Sequence, residues 1–223
     1  MNVDDIARYY PKLYHMAESG SWPSIKKHGL LSTTALLDFY QIEGQERLII
    51  ESQWRPESVK INHPIHGSAV IRDQKPLPEK TLTEIVDGMT ASEYYKLLNS
   101  KTFFWVRRER LEGLLNARAY QNRKHTVLTL DTKSLVDKYR DQIWLSSINS
   151  GAAIYGSGRN ASRRSVNTFK RISEYPFDEL IKRKKEETIV ELSVDYAVKD
   201  VSNYVTKVED WIGYNPIETI WSK

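Results

Sequence analysis

Apolar positions along the chain alternate between a helical spacing and short unbroken runs, and proline, glycine or a capping residue punctuates each change. Residues 3 to 10 predict a short helix that Pro11 ends, because proline lacks an amide donor and cannot continue the turn. An apolar strand at Lys12 to His15 follows, then a helix over Trp22 to His28 stopped by Gly29, and a further helix over Ser32 to Glu43 that ends at the Glu43-Gly44 turn. Arg47 to Ser52 and Val59 to Ile61 are short apolar runs without a decisive period, whereas Ala69 to Gln74 turns abruptly from apolar to polar and reads as a strand and its end. Lys75-Pro76-Leu77-Pro78 bars regular structure.

Downstream the signals sharpen. Thr90 with Glu93 has the spacing of a capping box and opens a helix to Asn99. Thr102 to Val106 is an aromatic strand, and Arg107 to Ala117 a helix with Leu111, Leu114 and Leu115 on one face. His125 to Leu130 predicts a buried strand, Asp131 a cap for the helix Lys133 to Tyr139, and Trp144 to Ser146 a short strand before the loop Asn149-Ser150-Gly151-Ala152. Thr188 to Val194 is the last clear strand, with Val201 to Val208 and Trp211 to Gly213 as terminal elements. Strands and helices intermix without a regular βαβ cadence and without repeats, so the expected class is α+β in one domain spanning residues 1–223.

Composition narrows the chemistry. The chain of 223 residues has no cysteine, which leaves His, Glu, Asp, Arg, Tyr and Ser to carry any reaction. Net charge is only +4, yet between Tyr155 and Lys185 nine basic residues face three acidic ones, so the positive charge is local. No stretch approaches the roughly 18 apolar residues of a membrane span, and the N-terminus lacks a leader, so a cytoplasmic location without membrane contact is expected.

Three residues stand out. His15 sits at a strand end before a small-residue turn, suited to reach a ligand but equally to be an ordinary hydrogen-bonded imidazole. Arg72, after Ile71, suits a two-point clamp on phosphate, or a surface pair with Asp73. Glu191 lies inside an apolar strand, sharing a face with Ile189 and Ser193, so either that face is wet or the carboxylate has a task. Other patterns are weaker. Gly156-Ser157-Gly158 lacks a strand-to-helix context for cradling phosphate, His63 and His66 lack a carboxylate at ligand spacing, and Ser146, Ser147 and Ser150 lack a nucleophile elbow.

With His15, Arg72, the Phe103-Phe104-Trp105 strand, the Asn149-Ser150-Gly151 loop and Glu191 in this order, the chain resembles the ADP-ribosyltransferase fold. Within it the chain looks most like the bacterial DarT-type enzymes that modify nucleic acid, and a related group of uncharacterised bacterial proteins. The opening pattern of that family is matched by Leu13-Tyr14-His15, Pro23-Ser24-Ile25 and Gly29-Leu30, and the late pattern by Lys182 to Lys185, Glu191 and Val201 to Val208. A second register would place the catalytic glutamate at Glu187.

The resemblance implies a split mixed or antiparallel sheet with surrounding helices, NAD as substrate and no metal. Glu191, His15 and Arg72 would be catalytic, and His15, Tyr14, Tyr40, Arg72, Phe104 and Asn149 would contact NAD. It also implies a target-recognition segment at about 155–187, with Arg159, Arg163, Arg164, Lys170 and Arg171 on the phosphates of single-stranded DNA or RNA. A toxin or phage-defence setting would bring an antitoxin or chaperone partner. A protein-directed transferase, and a non-catalytic nucleic-acid-binding module on the same fold, are the alternatives.

Overall fold

The computed structural model describes residues 3–153, 162–182 and 188–223. Among these the strands are β1 (Lys12–Glu18), β2 (Leu30–Leu31), β3 (Val59–His63), β4 (Gly67–Ile71), β5 (Lys101–Trp105), β6 (Lys124–Asp131), β7 (Ile143–Ser146), β8 (Lys170–Arg171), β9 (Glu191–Asp195), β10 (Ala197–Val198), β11 (Val205–Ile212) and β12 (Asn215–Ser222). The α-helices are α1 (Val3–Tyr9), α2 (Trp22–His28), α3 (Thr33–Phe39), α4 (Gly44–Ser52), α5 (Glu79–Ile85), α6 (Ala91–Asn99), α7 (Arg108–Leu115), α8 (Thr132–Tyr139) and α9 (Phe177–Lys182).

Eight strands form one sheet in the order β12-β11-β6-β1-β5-β9-β7-β8, and each paired neighbour runs antiparallel. β2 pairs with β10, and β3 with β4 in a separate hairpin. Helices cover both faces: Leu13, Phe104, Leu128 and Leu192 pack on one side with Leu135 and Val136 of α8, while Met16, Val127 and Trp211 pack on the other against Leu111 and Leu115 of α7. This is the expected α+β class, with a large antiparallel sheet.

The sheet is not uniformly laced. β1 and β6 stay in register from Lys12↔Asp131 to Glu18↔His125, whereas β1 and β5 share the single pair Tyr14↔Trp105. Past that pair the two strands part, and the His15 ring spans the gap to the Phe103 carbonyl. The opening between them forms part of the main cleft.

Local chemistry accounts for the helix starts. Ser32 accepts from the Ala35 amide, Thr90 and Glu93 form the full capping box, and Asp131 accepts from the Ser134 amide. Gly29 ends α2 at φ +89°, and a Cβ there would lie 2.5 Å from the Lys199 backbone, so only glycine lets the β2 and β10 chains close up.

Several elements depart from expectation. His15 lies in the middle of β1, not at its end, because pairing with β6 carries the strand on to Glu18. The helix expected over Ser32 to Glu43 is α3 and stops at Phe39, before Gln41 at positive φ, and the undecided run at Arg47 to Ser52 belongs to a separate helix, α4, which begins at Gly44, also at positive φ. α5 follows directly on the Pro-rich link. Val201 to Gly213 is largely one bulged strand, β11, hydrogen-bonded to a β12 that the periodicity did not predict.

Candidate active site

A cleft of about 480 Å³ opens where β1 and β5 diverge, roofed by the end of the β3–β4 hairpin, the α2–α3 segment and the Asn149–Ala152 turn. Tyr14, His15, Tyr40, Arg72, Phe104, Asn149 and Glu191 all line it, although they come from six separate segments of the chain.

β1 presents His15. Its Nδ1 lies 2.8 Å from the Phe103 carbonyl oxygen, and since a carbonyl only accepts, Nδ1 carries the hydrogen and Nε2 keeps its lone pair. Burial, reinforced by the nearby Arg72 charge, holds the imidazole down at about 4, with the Phe103 hydrogen bond acting the other way. The ring is therefore neutral at physiological pH, an acceptor through Nε2.

β9 presents Glu191, aligned across the sheet with Trp105 of β5 and Ser146 of β7. It is 5% exposed, so the wet-face alternative does not hold. The amide and hydroxyl of Ser150 both donate to its Oε2, at 3.0 and 2.6 Å. Burial pushes the carboxyl up to about 7, opposed by the two Ser150 bonds and by the charges of Arg164 and Arg110. A carboxylate poised there exchanges its proton at neutral pH.

Arg72, just past the end of β4, donates to the Met16 carbonyl at 3.4 Å and lies 4.8 Å over the Tyr120 ring. Its neighbour Asp73 instead accepts from Tyr120, so the Arg72 to Asp73 surface pair is replaced by a buried network. Burial lowers the Arg72 pKa, opposed by the Tyr120 and Asp73 charges. Tyr40 sits at the other end, beside a ring stack in which His66 lies 3.9 Å from Phe39 and 4.5 Å from His63. His63 and His66 are hairpin-turn residues packed in that stack, and among the described residues no group of three or more His, Asp or Glu is placed to hold a metal.

The basic segment divides. Arg164 is buried, and its guanidinium donates to the carbonyls of Asn149, Ala152 and Ser162, which pins the turn that carries Ser150. It is a clamp on the site and not a surface cation, which corrects its assignment to the nucleic-acid surface. Arg171 lies flat on Trp144 at 3.6 Å and donates to the Asp141 carbonyl, while Lys170 bonds Asn167 and exposed Arg163 bonds the Glu84 carbonyl. Arg159, the Gly156-Ser157-Gly158 stretch and Glu187 lie outside the described residues.

Two residues that the sequence did not single out, Arg55 and Tyr120, complete the site. Arg55, 7% exposed, donates to the carbonyls of Arg72 and Ile50 and to Asn99, and so holds the Arg72 backbone in place. Burial brings it down to about 10. Tyr120 supports the Arg72 guanidinium from below. Apart from Ile50, these partners lie 17 to 48 positions apart, beyond any local motif.

No helix among the described residues is long and apolar enough to cross a membrane. No curated protein matches the chain. A family model matches residues 11–205, from the turn before β1 to the start of β11 and so across the whole cleft, and the chain belongs to that family, DUF7002, a family of unknown function.

Proposed function

We propose that the protein is an NAD-dependent ADP-ribosyltransferase whose target is single-stranded nucleic acid, built on an ADP-ribosyltransferase-like split sheet. The observation that carries this reading is the meeting of His15, Arg72 and Glu191 in one cleft at the parting of β1 and β5. The cleft volume of about 480 Å³ falls within the range of roughly 300 to 1,000 Å³ common for small-molecule sites.

In this reading each side chain has a task that its surroundings suit. Neutral His15 accepts a ribose hydroxyl hydrogen through Nε2 and fixes the sugar, because Phe103 holds the ring. Arg72 offers its guanidinium to the pyrophosphate. Glu191, once ionised, stabilises positive charge growing on the ribose as the bond to nicotinamide breaks, then takes the proton of the attacking nucleophile. Ser150 holds one carboxylate oxygen, which sets the direction of the other. Tyr14, Tyr40, Phe104 and Asn149 supply walls, and Arg163 and Lys170 outlying positive charge. A toxin or phage-defence role with a neutralising partner belongs to the same proposal.

The test is incubation of the purified protein with labelled NAD and single-stranded DNA, RNA or nuclease-treated lysate. Covalent label on an oligonucleotide that disappears with Glu191→Ala supports the proposal. Label on lysate protein alone redirects it to a protein target, and undiminished labelling by Glu191→Ala removes the role given to Glu191.

A further inference from the structure

Beside the cleft runs a second groove, of about 200 Å³, between the end of α1 with the start of β1 and the junction of β5 with α7. Tyr9, Tyr10, Lys12, Tyr14, Arg107 and Arg108 line it together with the single acid Glu109. We propose that this groove is the track on which single-stranded nucleic acid docks to reach the site, an inference that rests on the transferase reading and adds the path of its target.

Three observations carry it. Cations and aromatic rings interleave: the Arg107 guanidinium lies 5.7 Å from the Tyr10 ring and Arg8 4.9 Å from Tyr9, which is 48% exposed. Such a lining offers phosphates a row of positive charge and an unpaired base a ring to stack on. Lys12 and Arg107 are exposed and line the groove, one on each wall, and they are the chosen probes.

The groove also leads to the carboxylate. Tyr14 lines both depressions, and Tyr14, Trp105 and Glu191 follow one another across adjacent strands, which puts Glu191 roughly 10 Å from the groove wall. Finally, the floor of the groove is bonded to the chain that carries Glu191. The Tyr10 hydroxyl meets Thr188 Oγ1 at 2.8 Å and accepts from the Ile189 amide at 3.2 Å.

The experiment is fluorescence anisotropy of a labelled single-stranded oligonucleotide of about 20 residues with the full chain, as a function of salt. Lys12→Glu with Arg107→Glu is expected to weaken binding about tenfold or more and to reduce the salt slope by about 1.4, two phosphate contacts at about 0.7 each. Tyr9→Ala is expected to weaken binding without changing that slope. Near-ultraviolet circular dichroism confirms folding, and NAD-induced thermal stabilisation is read in parallel.

Unchanged oligonucleotide affinity in both variants overturns the groove, as does absence of binding by the wild type or equal displacement by polyglutamate of matched charge. If the groove variants lose the oligonucleotide but NAD stabilises no form of the protein, the groove stands and the transferase reading fails. If NAD stabilises every form while the variants bind as tightly as wild type, the groove fails alone.

Discussion

Replacing Glu191 by Gln should make the folded protein less sensitive to rising pH. In the unfolded chain this carboxyl loses its proton near 4.5, and in the folded protein near 7, because burial disfavours its charge more than Ser150, Arg164 and Arg110 favour it. Between those values folding takes up a proton, so stability drains away as pH rises through the window. A shift of that size corresponds to about 3 kcal/mol once the folded carboxyl has ionised. Gln is nearly isosteric and its oxygen accepts from the Ser150 amide and hydroxyl as Glu191 Oε2 does, so the exchange itself adds an offset that does not depend on pH.

His15 and His125 pull the other way: both are held down at about 4, mainly by burial, and contribute stability that is lost as pH falls from 6.5. They are present in both proteins and cancel in the difference. Urea unfolding of wild type and Glu191→Gln at matched ionic strength, without NAD, measures that difference. Between about pH 5 and about pH 8 the variant should gain between about 2 and 3 kcal/mol on the wild type. A difference that stays constant over the range, or one that favours the wild type at the higher pH, would refute the buried, weakly paired carboxylate.

On the proposed transferase reading, the same titration sets activity. NAD consumption should rise with pH through about 7 as Glu191 ionises, with no further limb from His15, which is neutral throughout; a rate that falls over that interval contradicts the role of the ionised form. Gly29→Ala should cost about 3 kcal/mol in chemical denaturation, since its Cβ would meet the Lys199 backbone at 2.5 Å and the residue stands at φ +89°. Arg164→Ala should cost about 3 kcal/mol, because three carbonyls lose their donor; a loss below about 0.5 kcal/mol would return Arg164 to the surface.

Local signals were legible and long-range ones were not. The Thr90–Glu93 box, the Asp131 cap and the aromatic strand at Thr102 each need only neighbours within a few positions, and each forms. β12 was hidden because Asn215 to Ser222 is exposed along almost its whole length and has no buried face to impose alternation; its order comes from pairing with β11. Glu191 drew notice because a carboxylate inside an apolar run is costly, and it lies buried and hydrogen-bonded. Ser150 could be seen only as a loop residue, since its partner lies 41 positions away.

Charge was the least legible property. Counting arginines between Tyr155 and Lys185 treats each as available to a partner, but a guanidinium beside unpaired carbonyls is drawn inward, where five donors can satisfy them. Arg164 took that course, and Arg171 spends its flat face on Trp144. What remains exposed of the described part of that segment is thin, Arg163 and Lys182, with Lys170 half-buried. At the opposite side of Glu191, by contrast, the first turn of α7 and its cap place Arg107 and Arg108 at the surface beside Lys12, all three exposed. Attraction of a polyanion follows accessible charge and not composition. If the proposed reading holds, the cations fit to guide a target stand on the α7 side at least as much as in the basic stretch that announced itself in the sequence.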